Sequence, residues 1–482
     1  MAYKHGVYTS EVETSLQTAP AVDSALPFVV GASVKAFEPI VVSSWRQFVE
    51  VSGITEGTHD VAGENGWFSH SLVSFAYLWF RLCGRSDCIM CGIQSADGAL
   101  AKNDIISALG KIDTVYERVR RLPSLICVPY FANIAEIWLA MKAKGEQYGG
   151  RFKALAVGDI PCNENACSDA SPSIVSSPAD VAAAKTVQSE AVALFWPYIG
   201  IGDLRFDLSS AACAVMNRVD AQNGNLPFVS PSNKNCYATG VYVMPETTLT
   251  KTFSRCELRS MGAIAYVVDS DLDKVTFGLD DETATAQIVG STEATVAKFT
   301  ESGQSYWRVT GAPETSVFTF AVSYAGVAEA PLFQSRDDVN NALGANGVIG
   351  ALNTADGWNI WGNSLTCFPG NADVKDYLIS TRRMFNYTQN LFQVFAQPRI
   401  DNPLNRRQLE GVVNSFNQIL ASLQGFGALN SAAVELDDER NTTEQLIRGV
   451  VYFRIRIAPP PPMQEINGVF EFDVQGFEAS LA

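Results

Sequence analysis

Residues 450–475 read VVYFRIRIAPPPPMQEINGVFEFDVQ, and the fold is best read outward from this stretch. Phe453, Ile455 and Ile457 alternate with Arg454 and Arg456, a period of two that predicts a half-buried strand. Pro459, Pro460, Pro461 and Pro462 then remove consecutive backbone donors. Ladder pairing must stop there, and a stiff polyproline II spacer of roughly 3.1 Å per residue begins. Beyond it Phe470, Phe472 and Val474 alternate with Glu471, Asp473 and Gln475, a second strand pattern. A strand-forming segment thus hangs on a stiff leash. From the residues alone it either folds back onto its own sheet or adds an edge strand to another chain.

Upstream of this pair lie two helices. Met384, Phe385, Leu391, Phe392 and Phe395 recur at helical spacing between Asp373 and Gln397. Asn402 is a capping residue and Pro403 suits a first turn, so a helix is expected over 403–424. Leu409, Val412, Val413, Phe416, Ile419, Leu420 and Leu423 form its apolar stripe, and Gly425 is its natural stop. Arg406 and Arg407 lie off that stripe.

The first half alternates short apolar runs with helical patterns. Leu26 to Gly31, Ile40 to Val42, Cys88 to Cys91, Leu125 to Pro129 and Ala154 to Val157 read as strands. Ser44 to Val51, Ser71 to Leu82 and Ala132 to Lys144 read as helices between them, which predicts an α/β layer. Residues 1–25 read as an extended arm, with Val7, Tyr8 and Val12 in a strand-forming run that Pro20 ends. Over 265–333 five short strand patterns, 275–277, 286–289, 296–299, 306–309 and 317–320, predict a small antiparallel sandwich or barrel. That segment holds ten acidic and three basic residues and reads as a solvated insertion.

Composition narrows the function. Of the 482 residues 47% are apolar and only 18% charged, against roughly 25% in ordinary soluble domains. Few charges suit a surface that becomes subunit contact, because charge is depleted at interface centres. The net charge of −16 speaks against wrapping nucleic acid or lying on an anionic membrane. No apolar run reaches the ~18 residues of a membrane span, and the first residues carry no apolar leader pattern.

Motifs for chemistry are weak. Ten cysteines are scattered, and Cys88 and Cys91 form a CxxC with no second pair at zinc spacing, so buried reduced thiols are expected. His5, His59 and His70 accompany no nucleophile motif. Asp269, Asp271 and Asp273 imitate the start of a calcium loop, but Lys274 stands where glycine is required and Asp280 where glutamate is usual. No glycine-rich nucleotide motif occurs. Neither an enzyme, nor a cofactor, nor a metal site is expected.

Seven segments in order resemble one family, the contractile tail sheath proteins. They are the arm at His5–Val12, the strand at Leu26–Gly31, Ile40–Phe48, the Trp-Gly segment Asp356–Asn363, the Asp401–Leu404 helix start, the proline block and the terminal strand. Residues 265–333 match nothing in it; external insertions vary in that family. The resemblance implies a multi-domain α+β and α/β chain. Its parts are an extended arm at 1–25, an α/β middle domain at 26–264, an inserted all-β outer domain at 265–333, a sheath core with mixed sheet and amphipathic helices at 334–462, and an arm strand at 463–482.

It also implies the function. Copies of the chain would stack as six-membered rings into a hollow helical cylinder around an inner tube protein, capped by baseplate and terminator or neck proteins. The cylinder would contract to drive the tube through a target envelope, with energy stored at assembly. It would be built in a host cytoplasm and work on a virion tail or free contractile particle. Val7, Tyr8 and Val12 at one end, and Phe470, Phe472 and Val474 at the other, would join sheets of neighbouring copies, with Pro459 to Pro462 as the hinge. Arg406 and Arg407 are the candidate tube contacts. The competing readings are a non-contracting capsid-like or adhesin-like assembly protein, and a carbohydrate hydrolase using Asp280, Asp281 and Glu282.

Overall fold

The computed structural model describes residues 22–54, 66–96, 98–160, 185–242 and 335–475 in full, and the backbone of the strands between 243 and 331. Val7, Tyr8, Val12, the other arm residues up to 21, Cys162, Cys167, His59, the acidic run at 269–282 and the strand pattern at 275–277 lie outside the described residues.

The first half forms strands β1 (Pro27–Ser33), β2 (Phe37–Val42), β3 (Cys88–Gln94), β4 (Leu125–Cys127), β5 (Leu155–Asp159) and β6 (Val192–Phe195). Between them stand helices α1 (Trp45–Ser52), α2 (Ser71–Ala76, continued as a π turn to Leu82) and α3 (Ala135–Glu146). α4 (Leu208–Gln222) follows the short strands β7 (Tyr198–Ile201) and β8 (Leu204–Phe206). Every residue of β1, β4, β5 and β6 is buried, which is why these strands read as unbroken apolar runs and not as alternation. β3, β1, β4, β5 and β6 run parallel in that spatial order. Val29, for example, sits opposite Met90 on one side and Cys127 on the other. This is the doubly wound order in which the chain leaves its first strand to one side and then returns to the other. β2 closes the near edge antiparallel to β3.

Further along come β9 (Lys234–Asn235), β10 (Gly240–Val243), β11 (Glu246–Met261), β12 (Ile264–Val268), β13 (Thr285–Ile288), β14 (Thr295–Glu301), β15 (Gln304–Thr310), β16 (Phe318–Val327) and β17 (Ala330–Pro331). Strands β11 to β16 close into an antiparallel barrel in the order β11-β12-β15-β14-β13-β16, which leaves no edge. The barrel therefore begins at Glu246, upstream of the expected boundary at 265. β11, at 16 residues, is long, polar and interrupted by a bulge between Phe253 and Cys256, features that hid it in the sequence. β10 and β17 pair with each other where the chain passes into and out of the barrel, Val243 opposite Ala330.

β18 (Val348–Thr354) and β19 (Gly357–Trp361) follow. β18 lies parallel beside β6, with Val348 opposite Leu194, so the sheet continues as a nine-stranded whole across the expected boundary at 334. The strand around Asp356–Asn363 is thus built into the same sheet as the first half.

The C-terminal part comprises α5 (Ile379–Ala396), α6 (Arg406–Gly425), β20 (Ser431–Leu436) and β21 (Phe453–Ala458). α6 starts three residues later than expected. Asn405, not Asn402, is its cap, and the Asn405 side chain accepts the Gln408 N–H at 3.0 Å. Pro403 belongs to the lead-in, because two capping asparagines stand three residues apart and the later one wins. Val412, Phe416, Leu420 and Leu423 are buried as the stripe requires, whereas Leu409, Val413 and Ile419 are only half-buried. Phe416 meets Phe392 and Phe395 of α5 with ring centroids 5.0 and 5.1 Å apart, and Phe453 of β21 meets Phe392 at 6.0 Å. α5 also carries Arg383, which reaches back to Asp220 of α4 at 2.6 Å.

Candidate assembly surfaces

β20 and β21 pair only with each other among the described strands, Val434 opposite Ile455. A lone two-stranded sheet is marginal in water and gains stability from a covering helix or a third strand. Here α6 supplies the cover. The Asn417 side chain on α6 donates to the Val434 carbonyl at 3.0 Å and accepts the Val434 N–H at 2.9 Å. Val434 therefore turns its backbone groups away from β21, and Asn417 blocks the outer edge of β20 at its middle. By the alternation of an antiparallel ladder, the outward-pointing backbone groups of β21 belong to Phe453, Ile455 and Ile457. No described hydrogen bond uses them. Arg454 and Arg456 stand on the other face, paired to Asp437 at 3.0 Å, to Glu439 and to Glu435. The alternation expected from sequence is thus physical: one face packs on Phe392 and the other is ionic.

Pro459 follows the last paired residue, Ala458, and is itself buried. The chain after it still touches the body at Gln464, whose side chain donates to the Tyr377 hydroxyl at 3.4 Å, and is then exposed. Met463, Ile466, Val469, Phe470, Phe472 and Val474 are all exposed, Phe470 at 99% and Phe472 at 73%. None of residues 469–475 lies in a described ladder, and Val474 and Gln475 are helical, so the terminal strand expected from sequence is not formed within the single chain. The period-two pattern encodes a strand, but a strand exists only beside another. Fully extended, residues 463–475 reach at most roughly 45 Å. So many large apolar side chains in one short exposed run are rare on a monomeric soluble protein.

The first described residues are clamped to the rest of the chain. Arg121 holds Asp23 with two hydrogen bonds, at 2.7 and 2.8 Å, and Asp87 with a third at 2.8 Å. One residue on, the Ser24 carbonyl accepts from Arg383, the same guanidinium that pairs with buried Asp220. Burial pushes the Asp220 carboxyl up and Arg383 pulls it back. Sequence reading missed this clamp, because its members are 98 and 359 residues apart along the chain.

Arg406 and Arg407 are both exposed. Arg406 pairs with Glu410 one turn along its own helix at 2.7 Å, and Arg407 has no ion pair among the described residues. Cys88 and Cys91 are fully buried in β3, where burial pushes the Cys91 thiol up to about 11 and raises that of Cys88 as well. Among the described residues no group of three His, Cys, Asp or Glu side chains is placed to hold a metal ion. No described helix is long and apolar enough to cross a membrane.

No protein-family model matches the chain. It is 26% identical to the tail sheath protein of Burkholderia phage BcepMu over 150 residues, 30% of this chain and 31% of that one. It is 29% identical to the major tail sheath protein of Serratia phage KSP20 over 155 residues, 31% of this chain and 36% of that one. The aligned stretches thus span about a third of these relatives. In fold the likeness runs end to end. The sheath of the extracellular contractile injection system PVC, in its contracted state, superposes with a TM-score of 0.56 over 99% of both chains, at 13% identity. The chain is thus similar to contractile tail sheath proteins in sequence over about a third of its length and in fold over nearly all of it.

Proposed function

We propose that this chain is the repeating, non-enzymatic subunit of a contractile sheath, on a virion tail or a free contractile particle. The observation that carries the proposal is a pair of complementary surfaces on one chain. One is an exposed apolar segment with the alternation of a strand in its sequence, Phe470 to Val474, that follows four prolines. The other is the outer edge of β21, whose outward backbone groups meet no described partner. Among the described residues of one chain neither joins a further ladder. Copies passing the segment onward satisfy both, because main-chain bonds at a sheet edge give affinity and the alternate side chains give register.

Six-membered rings stacked into a cylinder around an inner tube, with a baseplate at one end and a terminator or neck at the other, complete the reading. The N-terminal arm would add a second link through Val7, Tyr8 and Val12, and Arg406 and Arg407 would face the tube. Linked arms let the cylinder change packing without losing its connections. Such a switch needs little energy per subunit. Moving a two-state equilibrium from 1:99 to 99:1 takes about 5.5 kcal/mol. Burial of roughly 200 Å² more apolar surface per copy supplies about 5 kcal/mol, with no fuel consumed.

Electron microscopy of the purified chain tests this. Full-length protein forms hollow striated cylinders, whereas a chain ended after Pro462 stays dispersed with unchanged helix content. Cylinders of normal length from the truncated chain would refute strand exchange through this arm.

A further inference from the structure

Two carboxylates lie buried near one another at the carboxyl end of the parallel sheet. Asp159 ends β5 and Asp207 directly precedes α4; they are 6% and 2% exposed. Asp207 occupies the cap position of α4 but makes no capping bond. Asp159 takes that role, accepting the Ser209 N–H at 3.0 Å and the Ser209 hydroxyl. Asp207 serves the loop after β4 instead, where it accepts the Tyr130 N–H at 2.6 Å. Tyr130 adopts a left-handed backbone there, φ 66°, which persists in a bulky residue only where its surroundings enforce it. The two carboxylates thus join three segments: the ends of β4 and β5 and the start of α4.

No lysine, arginine or histidine pairs with either carboxylate among the described residues. The titratable groups around them are the Cys127 thiol on β4, the Cys213 thiol on α4 and the Tyr130 and Tyr198 hydroxyls, none of which becomes positive. Arg205 on β8 lays its guanidinium over the Tyr242 ring, 4.0 Å from the centroid. His70, ahead of α2, bonds the Ser69 hydroxyl and the Ser95 carbonyl. Two negative charges in so dry a place, with no counter-charge, do not persist together, so one carboxyl keeps a proton.

The surroundings also decide which carboxyl ionises first. Asp207 borders a cavity of about 180 Å³ that Trp67, Tyr130 and Tyr198 also line. One water needs roughly 10–15 Å³, so an ionised Asp207 has room to draw in solvent. Asp159 does not line that space; its carbonyl accepts from the Trp138 indole at 3.2 Å. Burial pushes the Asp207 carboxyl up to about 7, against the pull of the Tyr130 N–H. Burial first, and the Asp207 charge second, push Asp159 well above the usual carboxylate range.

We infer that Asp159 and Asp207 form a proton-held latch that locks the start of α4 and the Tyr130 loop to the sheet and loosens when Asp207 loses its proton. The far end of α4 is fixed separately, Asp220 by Arg383 of α5. The latch therefore governs how firmly the parallel sheet is coupled through α4 to the C-terminal part. Its sign is set by linkage. The folded chain holds a proton that the unfolded chain releases above about pH 4. The stability that the latch contributes is full below that value and falls as pH rises, until Asp207 is ionised in the folded chain as well.

The test compares the full-length chain with Asp207→Asn, which keeps an oxygen for the Tyr130 N–H and cannot ionise. Both are kept at a concentration where the chain is dispersed. Urea unfolding is followed from pH 5 to 8.5, with hydrogen exchange at the Tyr130 and Ser209 amides corrected for its intrinsic pH dependence. The folding constant of wild type relative to the variant falls about tenfold per pH unit between pH 5 and 7, then levels off. Protection of both amides falls by about tenfold or more over that span in wild type and stays level in the variant. Parallel stability profiles, or level protection in wild type, would overturn the inference. Infrared difference spectra of wild type between pH 6 and 8 give a reading that needs no variant. A protonated buried-carboxyl band disappears as pH rises, and the absence of any such band would also overturn the latch. The latch does not depend on the sheath reading, so either can fail alone.

Discussion

Replacing Arg383 with methionine isolates the contact that joins α4, α5 and Ser24. The guanidinium and the Asp220 carboxylate are 3% and 1% exposed, 2.6 Å apart, and the same group holds the Ser24 carbonyl at 3.2 Å. Methionine keeps most of the volume but leaves a carboxylate buried with no counter-charge, for which the cost is about 3–5 kcal/mol. That is a large part of the 5–15 kcal/mol by which domains are stable. Burial already raises the Asp220 carboxyl and Arg383 opposes the rise, so removing the arginine raises it further. The folded variant then holds a proton that its unfolded state releases, and its stability falls as pH rises from the unfolded carboxyl value upward. The cost of Arg383→Met is therefore smaller at pH 5 than at pH 8. Urea unfolding followed by tryptophan fluorescence measures both. Adding Asp220→Asn removes the stranded charge and recovers most of the loss. A cost below about 1 kcal/mol at pH 8, the same cost at both pH values, or no recovery in the double variant would refute the argument.

Other expectations follow from the same geometry. Val469→Lys with Phe470→Lys leaves the urea midpoint of the single chain unchanged, since both side chains are exposed, and abolishes cylinders in electron microscopy. Asn405→Ala removes the cap of α6 and costs about 1 kcal/mol, read as a lowered urea midpoint. Asn417→Leu strips the edge bonds from Val434 and lowers stability by about 1–3 kcal/mol, with hydrogen exchange at Val434 speeding up first. Native protein leaves Cys88 and Cys91 unlabelled by iodoacetamide over hours, whereas urea exposes both, because the reactive thiolate is suppressed by burial.

What could be read from the sequence was whatever local pattern and burial agree on. Runs such as Phe28-Val29-Val30 became buried parallel strands, and Phe453, Ile455 and Ile457 kept their predicted shared face. The start of α6 slipped to Asn405 because capping chemistry recurs within one turn there. β11 escaped because its pattern is polar and bulged, and its partner β16 lies far along the chain. The terminal strand pattern was legible, but in one chain it has no ladder to join. The Asp23–Arg121 clamp and the cavity at Trp67 were invisible for a different reason. Their members are scattered, and only the winding of the parallel sheet brings them together.

The neck of the barrel has a consequence for how such chains diverge. Val243 and Ala330 face each other across a ladder, so excising everything between them leaves two ends roughly 5 Å apart, a gap that a two-residue hairpin turn closes. The cassette can be traded, enlarged or dropped by a single genetic event while the nine-stranded sheet keeps every rung. Surface novelty at this position costs the body of the protein almost nothing.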